Sequence, residues 1–179
     1  MPSGTAARRY AQAVFELADE QGTLDRWERD LSVLADAFGD PMVAAFFDNP
    51  QVPNTQKRET VARLLGPEGQ QLTKNFAGLL IERGRFGAMR QIYNAFHDQV
   101  LARRGIAVGD VTTAVPLNDA ELTFVRDRLS AIVGKDVEVR ATVDPGIIGG
   151  IIARVDDQLI DGSVTNQLRK LRERLVARR

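Results

Sequence analysis

The first 105 residues carry apolar side chains at the three- and four-residue spacing that is typical of amphipathic helices. Gly22, Gly39, Gly66-Pro67 and Gly84 separate these stretches and are typical helix stops. Four predicted helices cover 6–21, 24–38, 70–83 and 86–104. Between the second and third of these, a short helix begins at Asp40-Pro41 and ends before Pro50. Another helix, capped by Asn54 or Thr55, runs to Leu65. Short connections place neighbouring helices antiparallel, so we predict a bundle of about six helices.

Beyond residue 105 the pattern changes to an alternation of apolar and polar residues, interrupted by two helical stretches. The predicted elements are a strand at 106–115, a helix from an Asn118–Glu121 capping box to Gly134, strands at 137–143 and 147–155, a short strand at 158–160, and a last helix after the Asp161-Gly162-Ser163 turn. The last helix has one narrow apolar stripe, formed by Val164, Leu168, Leu171 and Leu175. This order predicts a small α+β unit.

Composition divides the chain at the same place. Val and Ile occur eight times in residues 1–105 and eighteen times in the shorter remainder, whereas Phe occurs seven times before the boundary and once after it. Because Val and Ile favour pleated, half-buried surfaces, the second part should hold the sheet. We therefore predict an α+β chain: an N-terminal helical bundle at 1–105 and a small α/β C-terminal domain at 106–179.

Charge and residue usage exclude several classes of function. The 24 basic residues balance 24 acidic ones, which argues against a dedicated nucleic-acid-binding protein. The chain has no Cys and one His, His97, so we expect no thiolate chemistry, no metal site and no cofactor. The first twenty residues contain no apolar block, and no apolar run approaches the length of a bilayer span. We expect a cytosolic chain without a signal peptide.

Two features resemble parts of catalytic or phosphate-binding sites. Asp156-Asp157 is an adjacent carboxylate pair, but on a strand the two side chains would point to opposite faces. Gly146, Gly149 and Gly150 follow neither dinucleotide-binding nor P-loop spacing. Glycine inside an apolar strand more often marks a bulge or a close backbone approach. A small nucleotide-binding or hydrolytic protein that uses this loop remains the alternative function.

The C-terminal segment is basic. Residues 169–179 contain Arg169, Lys170, Arg172, Arg174, Arg178 and Arg179 against Glu173 alone. The dipole of the last helix is sufficient to explain this charge. The same segment also suits docking of an acidic or amphipathic partner helix beside the Leu stripe, and a basic-tailed RNA-associated protein is a third alternative. The residues alone therefore favour a non-enzymatic adaptor.

Three stretches carry a family pattern that covers essentially the whole chain. They are Ala7-Arg8-Arg9-Tyr10-Ala11 with Val14-Phe15-Glu16-Leu17-Ala18, then Glu82-Arg83-Gly84-Arg85, and last Val143-Asp144-Pro145 with Gly149-Gly150, Asp161-Gly162-Ser163-Val164 and the Leu168, Leu171, Leu175 helix. Together they resemble the delta subunits of F-type ATP synthases, whose mitochondrial counterpart is the oligomycin-sensitivity-conferring protein. Asp156 departs from the pattern, since the family more often has Gly there.

The resemblance implies a non-catalytic subunit of the peripheral stalk, or stator. In the family, such a subunit clamps the catalytic head to the b-subunit stalk so that rotation is coupled to ATP synthesis and ion transport. The family holds an alpha-subunit N-terminus between its first and fifth helices, a position that corresponds here to Tyr10, Ala13, Val14, Leu17, Phe76, Leu79, Leu80 and Arg83. Contacts to the b subunit correspond to Gly149, Gly150, Asp161, Gly162, Leu168, Leu171 and Leu175. The resemblance also implies a single copy, peripheral at the cytoplasmic face of the bacterial inner membrane.

Overall fold

The N-terminal part of the chain is built from helices, as the apolar spacing predicted. The computed structural model describes residues 4–155 and 157–176, with side chains over 6–155 and 157–173. The helices are α1 (Gly4–Glu20), α2 (Leu24–Ala37), α3 (Pro41–Asp48), α4 (Asn54–Leu65), α5 (Gln71–Glu82) and α6 (Met89–Arg103), with a 3₁₀ turn (Phe86–Ala88) before α6. The prediction of an α+β chain that begins with about six helices is confirmed.

The starts of α3 and α4 show one correct and one incorrect prediction. The Asp40 carboxylate accepts a hydrogen bond from the Met42 N–H at 2.7 Å, so it caps α3 as predicted. The prediction that Asn54 or Thr55 caps α4 is wrong, because Asn54 is already helical and Pro53 lies at the cap position without a side-chain hydrogen bond. The proline ring fixes φ at the extended entry that a helix start requires.

The bundle encloses one continuous apolar core. Trp27 is buried in this core, as its helical spacing predicted. The largest fully buried side chains of the bundle are Trp27, Phe96, Leu31, Leu34, Leu80, Met89 and Ile92. Within the same core Phe47 stacks on Phe86 with ring centroids 4.4 Å apart, and the buried Lys57 ammonium donates to the Phe47 carbonyl at 2.5 Å. This bond satisfies one of the carbonyls that the end of α3 leaves without a partner.

The C-terminal part is a four-stranded sheet with two helices. Its elements are β1 (Ala107–Thr113), α7 (Asp119–Val133), β2 (Val137–Val143), β3 (Ile151–Val155), β4 (Gln158–Asp161) and α8 (Val164–Val176). The sheet order is β2-β1-β3-β4, in which β1 and β2 are parallel and the other pairs are antiparallel. The predicted capping box is present, with both Asn118–Glu121 hydrogen bonds at 2.9 Å. A second core lies between α7 and the sheet, around Val111, Leu129 and Val155.

The strand predicted at 147–155 is shorter than expected. It begins only at Ile151, and residues 147–150 form turns and bends in which Ile148 is exposed. Gly150 adopts φ +83°, which breaks the extended backbone at the point where the strand was expected to continue. The apolar residues before Ile151 therefore do not pair as part of the strand, although their apolar character suggested it.

Contacts divide the described residues into two units, with the division between Val100 and Leu101 near the end of α6. The sequence predicted a domain boundary at residues 105 and 106, where α6 has ended and β1 is about to begin. Each unit has its own apolar core. Over the described residues, we find no helix with the length and apolar character needed to cross a membrane.

Candidate partner-binding surfaces

Helices α1 and α5 meet through aromatic side chains. The ring of Tyr10 on α1 contacts that of Phe76 on α5 edge to face, with centroids 6.3 Å apart. Phe76 in turn contacts Trp27 on α2, with centroids 6.1 Å apart. Such edge-to-face pairs stabilise beyond the apolar area that they bury. The Tyr10–Phe76 pair therefore connects the two helices, and both helices have exposed side chains near it.

The residues predicted to bind an alpha-subunit N-terminus take three kinds of position. Val14 and Leu80 are buried in the bundle core. Tyr10, Leu17 and Phe76 are half-buried and pack against that core. The exposed members are Ala13, Leu79 and Arg83, and Leu79 retains 42% of its accessible surface. Val14 and Leu80 thus support the surface from below, while the remaining residues can meet a partner.

Sequence reasoning missed one apolar member of this surface. Leu72 is exposed on α5, and the series Leu72, Phe76, Leu79 and Arg83 advances by four, three and four residues. This spacing places the four side chains on one face of the helix. Leu72 follows the apolar spacing by which the helix at 70–83 was predicted, but that spacing does not show that the side chain is exposed.

An open depression of about 400 Å³ lies against α1. The described residues that line it are Ala6, Arg9, Tyr10, Ala13 and Arg85. Arg85 follows Gly84, which ends α5 with a positive φ. Ala6, Arg9 and Arg85 were not among the predicted contacts, although Ala6, Tyr10 and Ala13 follow helical spacing. We call the half-buried and exposed residues on these two helices the α1–α5 surface: Tyr10, Ala13, Leu17, Leu72, Phe76, Leu79 and Arg83. Tyr10 lines this depression and also contacts Phe76, so the depression continues the α1–α5 surface.

In the C-terminal unit, the glycines among the predicted b-subunit contacts lie where two backbone segments meet and hydrogen-bond. The Gly149 carbonyl accepts a hydrogen bond from the Val164 N–H at 3.0 Å, and the Ile151 carbonyl accepts one from the Gly162 N–H at 2.9 Å. A Cβ at Gly150 would lie 2.5 Å from the Gly162 carbonyl oxygen. The close backbone approach predicted for these glycines is present, and it joins the start of β3 to the start of α8.

Asp161 and Ser163 organise the first turn of α8. The Asp161 carboxylate accepts from the Ser163 N–H at 2.9 Å, and the Ser163 hydroxyl oxygen accepts from the Asn166 N–H at 3.2 Å. The Asn166 amide donates to the Asp161 carbonyl at 2.8 Å and accepts from Arg169 at 2.9 Å. Hydrogen bonds from the Ser163 hydroxyl and backbone lower the pKa of Asp161 below its ordinary value of 3.8, and the charges of Arg169 and Lys170 contribute less.

Helix α8 presents apolar side chains to solvent beyond that turn. Leu168 is 57% exposed and Leu171 is 52% exposed. They are one turn apart on the predicted stripe, and the side chain of its last member, Leu175, lies outside the described residues. Exposed leucines one turn apart are what a helix–helix contact requires. Of the predicted b-subunit contacts, these two offer side chains, while Gly149, Gly150 and Gly162 shape the backbone beneath.

The 146–150 loop and Asp157, which resembled parts of phosphate-binding or catalytic sites, do not form such a site among the described residues. The loop at 146–150 leads into β3, whereas a phosphate-binding loop leads into a helix. Asp157 is exposed in a turn, and its neighbour Asp156 lies outside the described residues. The His97 Nδ1 is 2.6 Å from a Glu28 carboxylate oxygen and joins α6 to α2. Among the described residues, no cluster of His, Cys, Asp or Glu could hold a metal ion.

Comparison with known proteins assigns the chain to a family. The family model of the ATP synthase delta (OSCP) subunit matches residues 6–175. The chain is 39% identical to ATP synthase subunit delta of Dehalococcoides mccartyi strain 195 over 162 residues, which are 90% of this chain and 89% of that protein. It is 34% identical to ATP synthase subunit delta of Symbiobacterium thermophilum over 178 residues, covering 99% and 96% of the two chains.

A solved structure shares the fold. A chain in the cryo-EM structure of the Toxoplasma gondii mitochondrial ATP synthase hexamer superposes with a TM-score of 0.71 at 22% sequence identity, and the match covers 95% of this chain and 97% of that one. These matches do not support the nucleotide-binding or hydrolytic alternative raised by the 146–150 loop. The family model and the bacterial relatives, both of which extend over nearly the whole sequence, show that the chain belongs to the ATP synthase delta (OSCP) subunit family.

Proposed function

We propose that this chain clamps the alpha subunits of the catalytic head to the b subunit of the stalk, with residues 1–105 as the head-binding domain and 106–179 as the stalk-binding domain. As a family member the chain is a non-catalytic peripheral-stalk subunit of an F-type ATP synthase. The proposal adds which partners are held and by which surfaces.

The head contact is assigned to the α1–α5 surface. One observation carries this assignment: Leu79 is 42% exposed directly beside the half-buried Phe76–Tyr10 pair. A partner helix that covers Leu72, Phe76 and Leu79 would remove apolar surface from water along about two turns of α5. An amphipathic helix in an apolar groove is a recurrent mode of peptide recognition, and an alpha-subunit N-terminal segment is the proposed occupant.

The stalk contact is assigned to α8. Leu168 and Leu171 form its exposed apolar stripe, and the Asp161–Ser163 turn fixes the direction in which the helix leaves the sheet. The b subunit supplies the proposed partner helix. Because the glycine contacts hold α8 against the start of β3, a pull on the helix is transmitted to the sheet through backbone hydrogen bonds.

The work of such a clamp is mechanical. Rotation of the central shaft exerts torque on the head, and ATP synthesis is coupled only while the head is prevented from turning with the shaft. The two contacts must therefore dissociate slowly, which closely packed apolar anchors favour. One copy of the chain would serve one complex. We place it at the cytoplasmic face of the bacterial inner membrane, held by its protein partners and not by lipid or nucleic acid.

Trp27 provides the test of the head contact. It is buried next to Phe76, so its fluorescence reports on the α1–α5 surface. We expect a synthetic peptide of the cognate alpha-subunit N-terminus to bind one to one, with calorimetry giving the same affinity. Leu79→Asp should weaken binding at least about tenfold, because it places a charge on the apolar face.

Leu64→Asp is the matched control, since Leu64 is 36% exposed on α4 and undergoes the same chemical change. It should bind the peptide as the wild type does. An absence of binding by both methods, with the helical circular dichroism intact, would reject the α1–α5 surface as the head contact.

A further inference from the structure

Two arginines from different elements line the depression beside Tyr10. Arg9 lies on α1 and Arg85 immediately precedes the 3₁₀ turn that follows α5, and both are exposed. The other described lining residues are Ala6, Tyr10 and Ala13, so the lining that the structure describes contains no carboxylate. The described lining of this open depression therefore includes two arginines and no acidic residue.

Neither arginine has a partner within the described part of the chain. We find no ion pair or side-chain hydrogen bond for Arg9 or Arg85 there, whereas Arg58 pairs with Glu82, and Arg90 pairs with Asp36 at 3.2 Å. Bundle arginines thus do form intramolecular pairs where a carboxylate is within reach. The donors of Arg9 and Arg85 are available to an acceptor that comes from outside the chain.

The apolar surface beside the arginines determines what kind of acceptor fits. Ala6 and Ala13 are small, so the backbone of another helix can approach α1 closely at this point. Tyr10 connects the depression to Phe76 and to the exposed Leu79. An occupant that covers the apolar part and continues past Tyr10 would come next to Arg9 and Arg85, which line the same depression. A carboxylate on that part of the occupant could accept paired hydrogen bonds from arginine.

We infer that Arg9 and Arg85 together bind a carboxylate of the partner helix, and that this ion contact sets the direction and register of the helix on the α1–α5 surface. The inference rests on the proposed head contact and specifies its chemistry: the occupant is an amphipathic helix with an acidic residue about one turn from its apolar anchors. The apolar stripe supplies affinity along either direction of the helix, whereas the charge pair favours one direction.

The experiment is a double-mutant cycle with the full-length protein. The probe is the cognate alpha-subunit N-terminal peptide, together with a variant in which every Asp and Glu is replaced by Asn and Gln. The protein variants are Arg9→Gln and Arg85→Gln. Arg29→Gln is the matched control, because Arg29 is an exposed arginine on α2 that also lacks a partner within the described residues and does not line the depression.

We expect each depression variant to weaken binding of the natural peptide about fivefold, at the upper end for exposed ion pairs. The amide peptide should bind the wild type more weakly by a similar or larger factor and should not distinguish Arg9→Gln or Arg85→Gln from wild type. Arg29→Gln should bind both peptides as wild type does. Raising the NaCl concentration from about 0.05 M to about 0.5 M should weaken binding of the natural peptide but not of the amide peptide.

If the natural peptide binds but the two depression variants bind it as tightly as wild type, the inference is overturned while the proposed head contact stands. The inference is likewise overturned if the amide peptide still distinguishes the variants from wild type. If the natural peptide fails to bind any form of the folded protein, the head contact and the inference are both overturned. Because all three arginines are exposed, thermal unfolding of the variants should match wild type and exclude misfolding.

Discussion

Gly150 lies directly against Gly162, so that a Cβ added at Gly150 would be 2.5 Å from the Gly162 carbonyl oxygen and 2.9 Å from the Ser163 Cα. Gly150 also has φ +83°, a backbone conformation that other residues rarely adopt. Two separate requirements therefore select glycine at this position: the backbone dihedral and the close approach of the turn before α8.

Gly150→Ala should destabilise the C-terminal unit by about 2–4 kcal/mol, since it combines a positive-φ cost with a backbone clash. Urea unfolding of the full chain, followed through amide resonances of β1, would measure the loss. Gly134→Ala is the matched control: Gly134 has φ +73° but open space around its Cβ position, so only the dihedral cost of about 1 kcal/mol applies. Equal losses in the two variants would show that the contact with Gly162 contributes nothing.

The ionisation of Asp161 should depend on Ser163. The hydroxyl and backbone N–H of Ser163 bind the Asp161 carboxylate and lower its pKa below 3.8. The resulting stabilisation is present above pH 3.8 and is lost as the pH falls through the folded pKa. A carboxyl-carbon NMR titration should give a midpoint below 3.8, and Ser163→Ala should move it upward. A midpoint unchanged by Ser163→Ala would contradict the assignment.

Leu168→Asp and Leu171→Asp should each weaken binding of the b subunit by at least about tenfold without unfolding the C-terminal unit. Both side chains are already more than half exposed, so the free energy of unfolding should change by less than about 0.5 kcal/mol. Calorimetry with the soluble part of the cognate b subunit would test this. Leu159→Asp, at a leucine 62% exposed on β4, is the control and should bind normally. Equal losses in all three variants would argue against α8 as the stalk contact.

Residues 1–105 should fold alone. All the buried residues of the bundle core lie between Ala7 and Val100, so the fragment retains every one of them. We expect helical circular dichroism, a cooperative thermal transition and a buried emission spectrum from Trp27. A fragment with a broad, uncooperative transition would show that the first unit depends on the second and would move the domain assignment.

Local rules of the sequence predicted most helix boundaries. The Asp40 cap of α3 and the Asn118–Glu121 box of α7 follow from hydrogen bonds within a few residues, which sequence spacing alone determines. The start of β3 did not follow such a rule. Apolar residues from 147 onward suggested a strand, yet the backbone turns at Gly150. At this point it lies against the start of α8. That contact joins residues about twelve positions apart, so local spacing does not reveal it.

The partner-binding surfaces show the same division. The family pattern and the helical period identified α1, α5 and α8 as the relevant elements, because amphipathic spacing and short motifs are properties of the chain itself. They did not distinguish Val14 and Leu80, which are buried, from Leu72 and Leu79, which are exposed. All four follow the apolar spacing of their helices, yet two are buried and two are exposed. Which edge of a stripe meets the core and which stays open was decided only when the neighbouring helices were packed, since burial depends on tertiary contacts.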